Sequence, residues 1–219
     1  MVRGFRDRSD AGIQLAGLLK RYANDPSVVV LGLPRGGVPV AYQVARALNA
    51  PLDVFVVRKL GVPGHKELAM GAIASGGVRI LNSEVVNALG IPGPAIDRVD
   101  KEEQKELNRQ QRAYRGDDPF PDLKDRTLIV VDDGLATGST MRAAVRALRQ
   151  MRPRRIIVAA PVAAVETCQS LAEDADEVVC LSTPEIFHAV SLWYEEFPQT
   201  TDDEVRFLLK SAAHLAPAQ

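Results

Sequence analysis

Residues 127–140, Thr-Leu-Ile-Val-Val-Asp-Asp-Gly-Leu-Ala-Thr-Gly-Ser-Thr, decide how this chain is read. The first five are apolar or β-branched throughout, which suits a strand buried on both faces. Two adjacent carboxylates, Asp132 and Asp133, close that strand. A run of small and hydroxyl residues follows, and then a helix of about 138–151. Met141, Val145, Leu148 and Met151 place its apolar face at spacings of four and three. Backbone N–H groups at a helix N-terminus bind phosphate, and Thr137, Ser139 and Thr140 can add hydroxyl donors. Beside them, a carboxylate pair can accept hydrogen bonds from a sugar diol. The segment thus offers a diol clamp next to a phosphate cradle, as a ribose 5-phosphate requires. The same two carboxylates could also hold a metal or accept a phosphoryl group. A purely structural turn would not need three hydroxyl residues. No Gly-Lys-[Ser/Thr] is present, so the loop is not a Walker A loop.

Working outward, strands alternate with helices. Ser9 or Asp10 can cap a helix to about Ala23, with Ile13, Leu15, Ala16, Leu18 and Leu19 as its apolar face. Val28 to Leu33 and Asp53 to Val57 read as buried strands, ended by Pro34-Arg35-Gly36-Gly37 and by Arg58-Lys59. A helix of about 38–48 lies between them. Gly and Pro content predicts a loop at 60–66, and a hairpin can form from Leu68–Ala74 and Val78–Leu81. Residues 95–115 are strong helix formers with few apolar positions, which predicts an exposed helix or one packed by a narrow stripe. Ile156–Ala160 and Glu177–Leu181 read as further strands around a helix at 165–172, and 202–214 as a final helix. The Pro-rich stretch 116–121 reads as a loop. This order predicts an α/β fold: a Rossmann-like parallel sheet with helices on both faces, in one domain over 1–219 with its core at about 25–182.

Composition narrows the function. With 27 Lys+Arg against 28 Asp+Glu the net charge is −1, so there is no electrostatic footprint for nucleic acid. The longest apolar stretch, Ile156 to Val165, is ten residues with Pro161 inside it, against the ~20 a bilayer span needs. The N-terminal MVRGFRDRSD lacks the apolar core of a secretory signal. Cys168 and Cys180 are the two cysteines, too few for a disulfide scaffold or a cysteine zinc site, and read as structural. A cytoplasmic protein is expected.

Ligands of open parallel sheets bind outside the carboxyl ends of the strands. Three such ends carry unusual residues: Pro34-Arg35-Gly36-Gly37, Arg58-Lys59, and Asp132-Asp133 with its loop. Arg35, between a proline and two glycines, reads as functional. Arg58-Lys59 could instead be a solvated strand end, and His65, Lys66 and Glu67 could be solvated residues of a loop. His188 and His214 do not read as ligands. Phe187, Trp193, Tyr194 and Phe197 form an aromatic group at mixed spacing; as core they need no explanation, Phe187 excepted.

VVDDGLATGSTM (130–141) resembles the phosphoribosyl pyrophosphate signature of type I phosphoribosyltransferases, most of all the adenine branch. The resemblance extends over roughly 25–200. Pro34-Arg35-Gly36-Gly37 falls where these enzymes have a short pyrophosphate loop. Arg58-Lys59-Leu60-Gly61-Val62-Pro63-Gly64 is similar to the entry of their flexible catalytic loop, one residue shorter, which gives a flexible hairpin loop at 60–76. Pro184-Glu185-x-Phe187, with Tyr194 and Glu196, resembles the base-binding hood of the hypoxanthine-guanine branch, here a small C-terminal hood at about 184–197.

The resemblance implies roles. Asp132 and Asp133 hold the ribose hydroxyls and help order Mg²⁺, largely through those hydroxyls and water. Ala136, Thr137, Gly138, Ser139 and Thr140 bind the 5-phosphate. Arg35 with the amides of Gly36 and Gly37, and Arg58 with Lys59, hold pyrophosphate. Phe187 stacks on the base. Apart from the resemblance, Glu67 is by its residue type a candidate acid or base. The implied partners are phosphoribosyl pyrophosphate and a small base, with a homodimer expected. Three departures concern the base. Ala136 stands where the hypoxanthine-guanine branch has an acid, and Trp193 where it has Asp. The strand IIVAAPVAAV lacks that branch's base-reading lysine. A regulatory module that senses phosphoribosyl pyrophosphate or a nucleotide is the alternative, and a phosphohydrolase built on Asp132-Asp133 a weaker third reading.

Overall fold

The computed structural model describes residues 4–213. In chain order the helices are α1 (Arg8–Leu18), α2 (Gly37–Leu48), α3 (Ser83–Ala88), α4 (Gly93–Arg115), α5 (Ser139–Gln150), α6 (Val165–Leu171) and α7 (Asp202–Ala213). The strands are β1 (Val28–Gly32), β2 (Leu52–Val54), β3 (Val57–Val62), β4 (His65–Ala74), β5 (Val78–Leu81), β6 (Thr127–Val131), β7 (Arg155–Val162) and β8 (Glu177–Ser182).

Five strands make a parallel sheet in the order β2-β1-β6-β7-β8. Its central members β1 and β6 are buried at every position, as their unbroken apolar runs require. Successive side chains leave a strand on opposite faces. Val28 and Val30 therefore pack with Leu15 of α1, Leu19 just past its end, and Val40 and Val44 of α2. Val29 and Leu31 face the other way, onto Met141, Val145 and Leu148 of α5. The chain runs outward from β1 to β2, then crosses back to β6 and continues to β8. Strand order therefore reverses between β1 and β6, and the loops leaving these two strands flank the crevice at that reversal.

A second, antiparallel sheet, β3-β4-β5, carries α4 and α7 on a separate cluster that includes Leu60, Met70, Ile73, Leu107, Tyr114 and Val205. Helix α4 buries Ile96, Leu107 and Tyr114, the narrow stripe its composition predicts. The hairpin expected from residues 68–74 and 78–81 is the β4–β5 pair.

Several expectations need correction. The strand predicted at 53–57 is broken: β2 ends at Val54, and after Phe55-Val56 the chain enters β3 of the second sheet. Arg58 and Lys59 therefore lie inside an antiparallel strand and do not end a parallel one. Residues 60–66 are not a loop. β3 continues through Val62, Pro63-Gly64 make the turn with Gly64 at φ +82°, and β4 begins at His65. The Gly and Pro signals belong to that turn and to an irregularity at Leu60–Val62. The cap of α1 is Asp7, whose carboxylate accepts from the Asp10 N–H, and neither Ser9 nor Asp10. This helix stops at Leu18, and Ile13 and Leu18 are exposed because the buried stripe runs through Ala11, Leu15 and Ala16. The short helix α3, capped by Asn82, carried no clear sequence signal. Cys168 on α6 and Cys180 on β8 are free thiols in contact, with Sγ atoms 2.8 Å apart. His214 lies outside the described residues. Among the described residues no helix is long and apolar enough to cross a membrane.

Candidate active site

The loops after β1 and β6 meet face to face at the sheet reversal. A methyl group on Gly36 would stand 2.0 Å from Asp133 Oδ2, and one on Gly37 2.6 Å from the Val131 carbonyl oxygen. This contact explains the two glycines in Pro34-Arg35-Gly36-Gly37, since any side chain there would displace the aspartates.

Each aspartate has one oxygen engaged. Asp132 Oδ1 accepts the Asp133 N–H at 2.9 Å, and Asp133 Oδ2 accepts Arg8 Nε at 2.8 Å. Asp132 Oδ2 and Asp133 Oδ1 carry no hydrogen bond among the described residues. The pair thus retains two free acceptors on adjacent residues. Burial, then the neighbouring Asp133 charge, pushes the Asp132 carboxyl above its ordinary range. Burial also raises Asp133, and Arg8 partly offsets it. Tyr194 donates from its hydroxyl to the Asp133 carbonyl at 2.5 Å, and burial keeps that phenol protonated.

Helix α5 opens without a side-chain cap. Its N-cap is Gly138 at φ +63°, a left-handed conformation suited to glycine. The first amide bonded along the helix is Arg142, to the Gly138 carbonyl at 2.8 Å. The amides of residues 139–141 therefore have no intrahelical partner; the Ser139 N–H makes only a long bond, 3.4 Å, to the Thr137 hydroxyl, and with the helix dipole this end favours an anion. Thr137 and Ser139 hydroxyls lie 3.1 Å apart beside them, and Ala136 and Thr140 are exposed. The Ala136 carbonyl accepts from Thr167 of α6. Space on the far side of Gly138 is taken by Thr167, 2.6 Å from where a Cβ would sit. A side chain at 138 would thus strike α6 rather than fill the phosphate position.

Strand alternation sends Arg58 and Lys59 to opposite faces of β3. Lys59 Nζ donates to Ser139 Oγ at 2.6 Å, beside the open helix end. Arg58 pairs with Glu103 of α4 at 2.7 Å, so the two cations do not converge. Lys59 and Glu67 line a cleft of about 580 Å³ between the antiparallel sheet and α5, with Thr137, Ser139, Arg142 and Arg146. The two aspartates are not in its lining. Arg142 and Arg146, three and seven residues beyond Ser139, share its helix face, a spacing that the sequence alone does not mark as functional. Arg35 is partly exposed, with Nη1 3.8 Å from Asp202 Oδ1 of α7. Phe187 is half-buried against the cluster of Phe5, Ala11, Val162 and Tyr194. Nothing local in the sequence could have identified Arg8 or Asp202 as neighbours of these loops.

Among the described residues no three His, Cys, Asp or Glu side chains gather into a metal cage. A carboxylate pair with free oxygens suits Mg²⁺ of another kind, one that keeps most of its waters and takes further ligands from a diphosphate. The donor set therefore fits a metal that arrives with substrate.

A parallel sheet with acidic and anion-binding loops at its order reversal, joined to a small antiparallel sheet, is the α/β architecture of type I phosphoribosyltransferases. The family model for the phosphoribosyl transferase domain matches residues 63–195, and the chain belongs to that family. A Mycobacterium tuberculosis protein, named provisionally as a phosphoribosyl transferase, is 49% identical over 209 residues, covering 95% of this chain and 47% of its own. The chain thus spans about half the length of the curated relatives it matches. The "Bifunctional protein PyrR" of Roseiflexus sp. is 31% identical over 144 residues, 65% of this chain and 59% of that protein. The crystal structure of TT1426 from Thermus thermophilus superimposes with a TM-score of 0.83 at 40% identity, covering 95% of this chain and 98% of that one.

Proposed function

We propose that this chain transfers ribose 5-phosphate from phosphoribosyl pyrophosphate to a nitrogenous base, releasing pyrophosphate. The observation that carries this reading is the junction at the sheet reversal: two free carboxylate oxygens beside an uncapped helix N-terminus. The spare oxygens of Asp132 and Asp133 accept from the ribose hydroxyls. The amides of residues 136–140, with the Thr137, Ser139 and Thr140 hydroxyls, hold the 5-phosphate.

Breaking the C1–oxygen bond builds positive charge on the sugar and negative charge on the leaving pyrophosphate. Lys59, and Arg35 with the amides of Gly36 and Gly37, are assigned to that leaving group, where fixed cations and amides stabilise developing charge. Arg58 is assigned there only if it exchanges Glu103 for the diphosphate. Glu67 in the cleft is the candidate acid or base. When bound, Mg²⁺ would supply further charge neutralisation on the diphosphate, and Asp132 and Asp133 are the residues that would help to hold it.

The hood at 184–197 is assigned to the base, with Phe187 stacking on it. β7 carries no lysine to read a 6-oxo group, so hypoxanthine and guanine should be poor acceptors. The deciding experiment is pyrophosphate release with a panel of bases in turn, for the wild type and Phe187→Ala. Turnover with one base and a raised KM for it in Phe187→Ala is expected. No turnover above hydrolysis with any base, in a protein that binds the donor tightly, would instead make it a sensor.

A further inference from the structure

Helix α1 precedes the matched family domain in the chain, yet its first residue reaches the acidic pair. Arg8 donates from Nε to Asp133 Oδ2 at 2.8 Å and from Nη1 to the Pro198 carbonyl at 2.6 Å. Its guanidinium carbon stands 3.8 Å from the centre of the Phe197 ring. Three contacts of different kinds fix one guanidinium plane, and only 11% of the side chain is exposed. The segment that carries it is stitched to the hood. The Phe5 N–H donates to the Trp193 carbonyl at 2.7 Å, and the Glu195 and Glu196 N–H groups donate to the carbonyls of Phe5 and Arg6 at 2.9 and 2.8 Å.

A carboxylate can rotate to offer either oxygen. Asp133 is denied that freedom. Arg8 takes Oδ2, the Gly36 backbone lies against it, and the residue's own N–H and carbonyl are held by Asp132 and Tyr194. Oδ1 is what remains.

We propose that Arg8 is a positioning residue for the sugar, holding Asp133 so that Oδ1 meets a ribose hydroxyl, and that residues 5–8 are part of the site. Arg8 acts through Asp133 and need not touch substrate. This rests on the phosphoribosyltransferase reading.

The test is calorimetric titration of the full chain as wild type, Arg8→Lys and Arg8→Met. Each is titrated with phosphoribosyl pyrophosphate and, separately, with inorganic pyrophosphate, always with Mg²⁺. Only the first ligand carries the diol. Arg8→Met should bind phosphoribosyl pyrophosphate about tenfold more weakly, the order of one charge-assisted hydrogen bond, with pyrophosphate affinity unchanged. Arg8→Lys should fall between, because an ammonium keeps the charge but loses the planar fork. Should Arg8→Met fail to fold, the ratio of the two affinities in Arg8→Lys decides alone. Equal losses for both ligands, or no loss for either, overturn the proposal. Wild type that binds pyrophosphate but not phosphoribosyl pyrophosphate overturns the transferase reading, and the role of Arg8 with it.

Discussion

Lys59 donates from Nζ to Ser139 Oγ across 2.6 Å, joining the middle of β3 to the first turn of α5. This bond brings a cation from the antiparallel sheet to the open end of a helix in the parallel one. An arriving anion would find the lysine already beside the amides of that first turn.

Lys59→Met should therefore lower kcat/KM for phosphoribosyl pyrophosphate by about 10², the usual loss on removing one preorganised donor. The loss should exceed that of Arg58→Met, whose guanidinium is committed to Glu103. Steady-state pyrophosphate release measures both. Equal effects would count against Lys59 as the cation that serves the leaving group.

Gly36→Ala should remove donor binding. The φ of −61° tolerates alanine, so the effect comes from space alone. The new methyl would stand 2.0 Å from Asp133 Oδ2 and 2.7 Å from its Cγ, and the clamp must move. Overpacking of this kind costs about 1–3 kcal/mol. Denaturant unfolding reads that cost, and titration with phosphoribosyl pyrophosphate reads the binding loss.

Arg115→Met should destabilise the fold in a pH-dependent way. Arg115 pairs with Asp53 at 2.7 Å and donates to the Val54 carbonyl. Burial lifts the Asp53 carboxyl above its ordinary value even with that partner present. A carboxyl whose folded pKa is raised loses stability as pH rises through the window between its unfolded and folded values. Without Arg115 the shift grows. The variant should lose about 3 kcal/mol at most at neutral pH, since a fifth of Asp53 remains exposed, and recover part of it as pH falls towards the carboxyl range. Thermal melts across pH should show the gap to wild type narrowing on acidification. Asp53→Asn in the same background should flatten that dependence.

The β3–β4 turn should close over a bound diphosphate and exclude water. Pro63, Gly64 and His65 are exposed at its tip, next to Lys66. Tryptic cleavage there should slow when Mg²⁺ and pyrophosphate are added. Equal rates with and without them would mean that the turn does not act as a lid.

The sequence by itself determined the strands β1, β6 and β7, the helices α2 and α5, and the loop at 132–140. Each follows from interactions within a few residues: an apolar run buried on two faces, an apolar stripe at helical spacing, a glycine in a left-handed position. Tertiary structure alone decided which of these residues meet. The departure of the chain from the parallel sheet at Phe55-Val56 put Arg58 and Lys59 inside β3, where strand alternation sends one to Glu103 and the other to Ser139. Sheet order put the loops after β1 and β6 side by side, so that Gly36 touches Asp133. The same packing brought Arg8 to Asp133, a residue 125 positions away. Backbone preference and hydrophobic period reach only a turn or two along the chain, whereas a charge pair across that distance depends on the arrangement of the whole sheet.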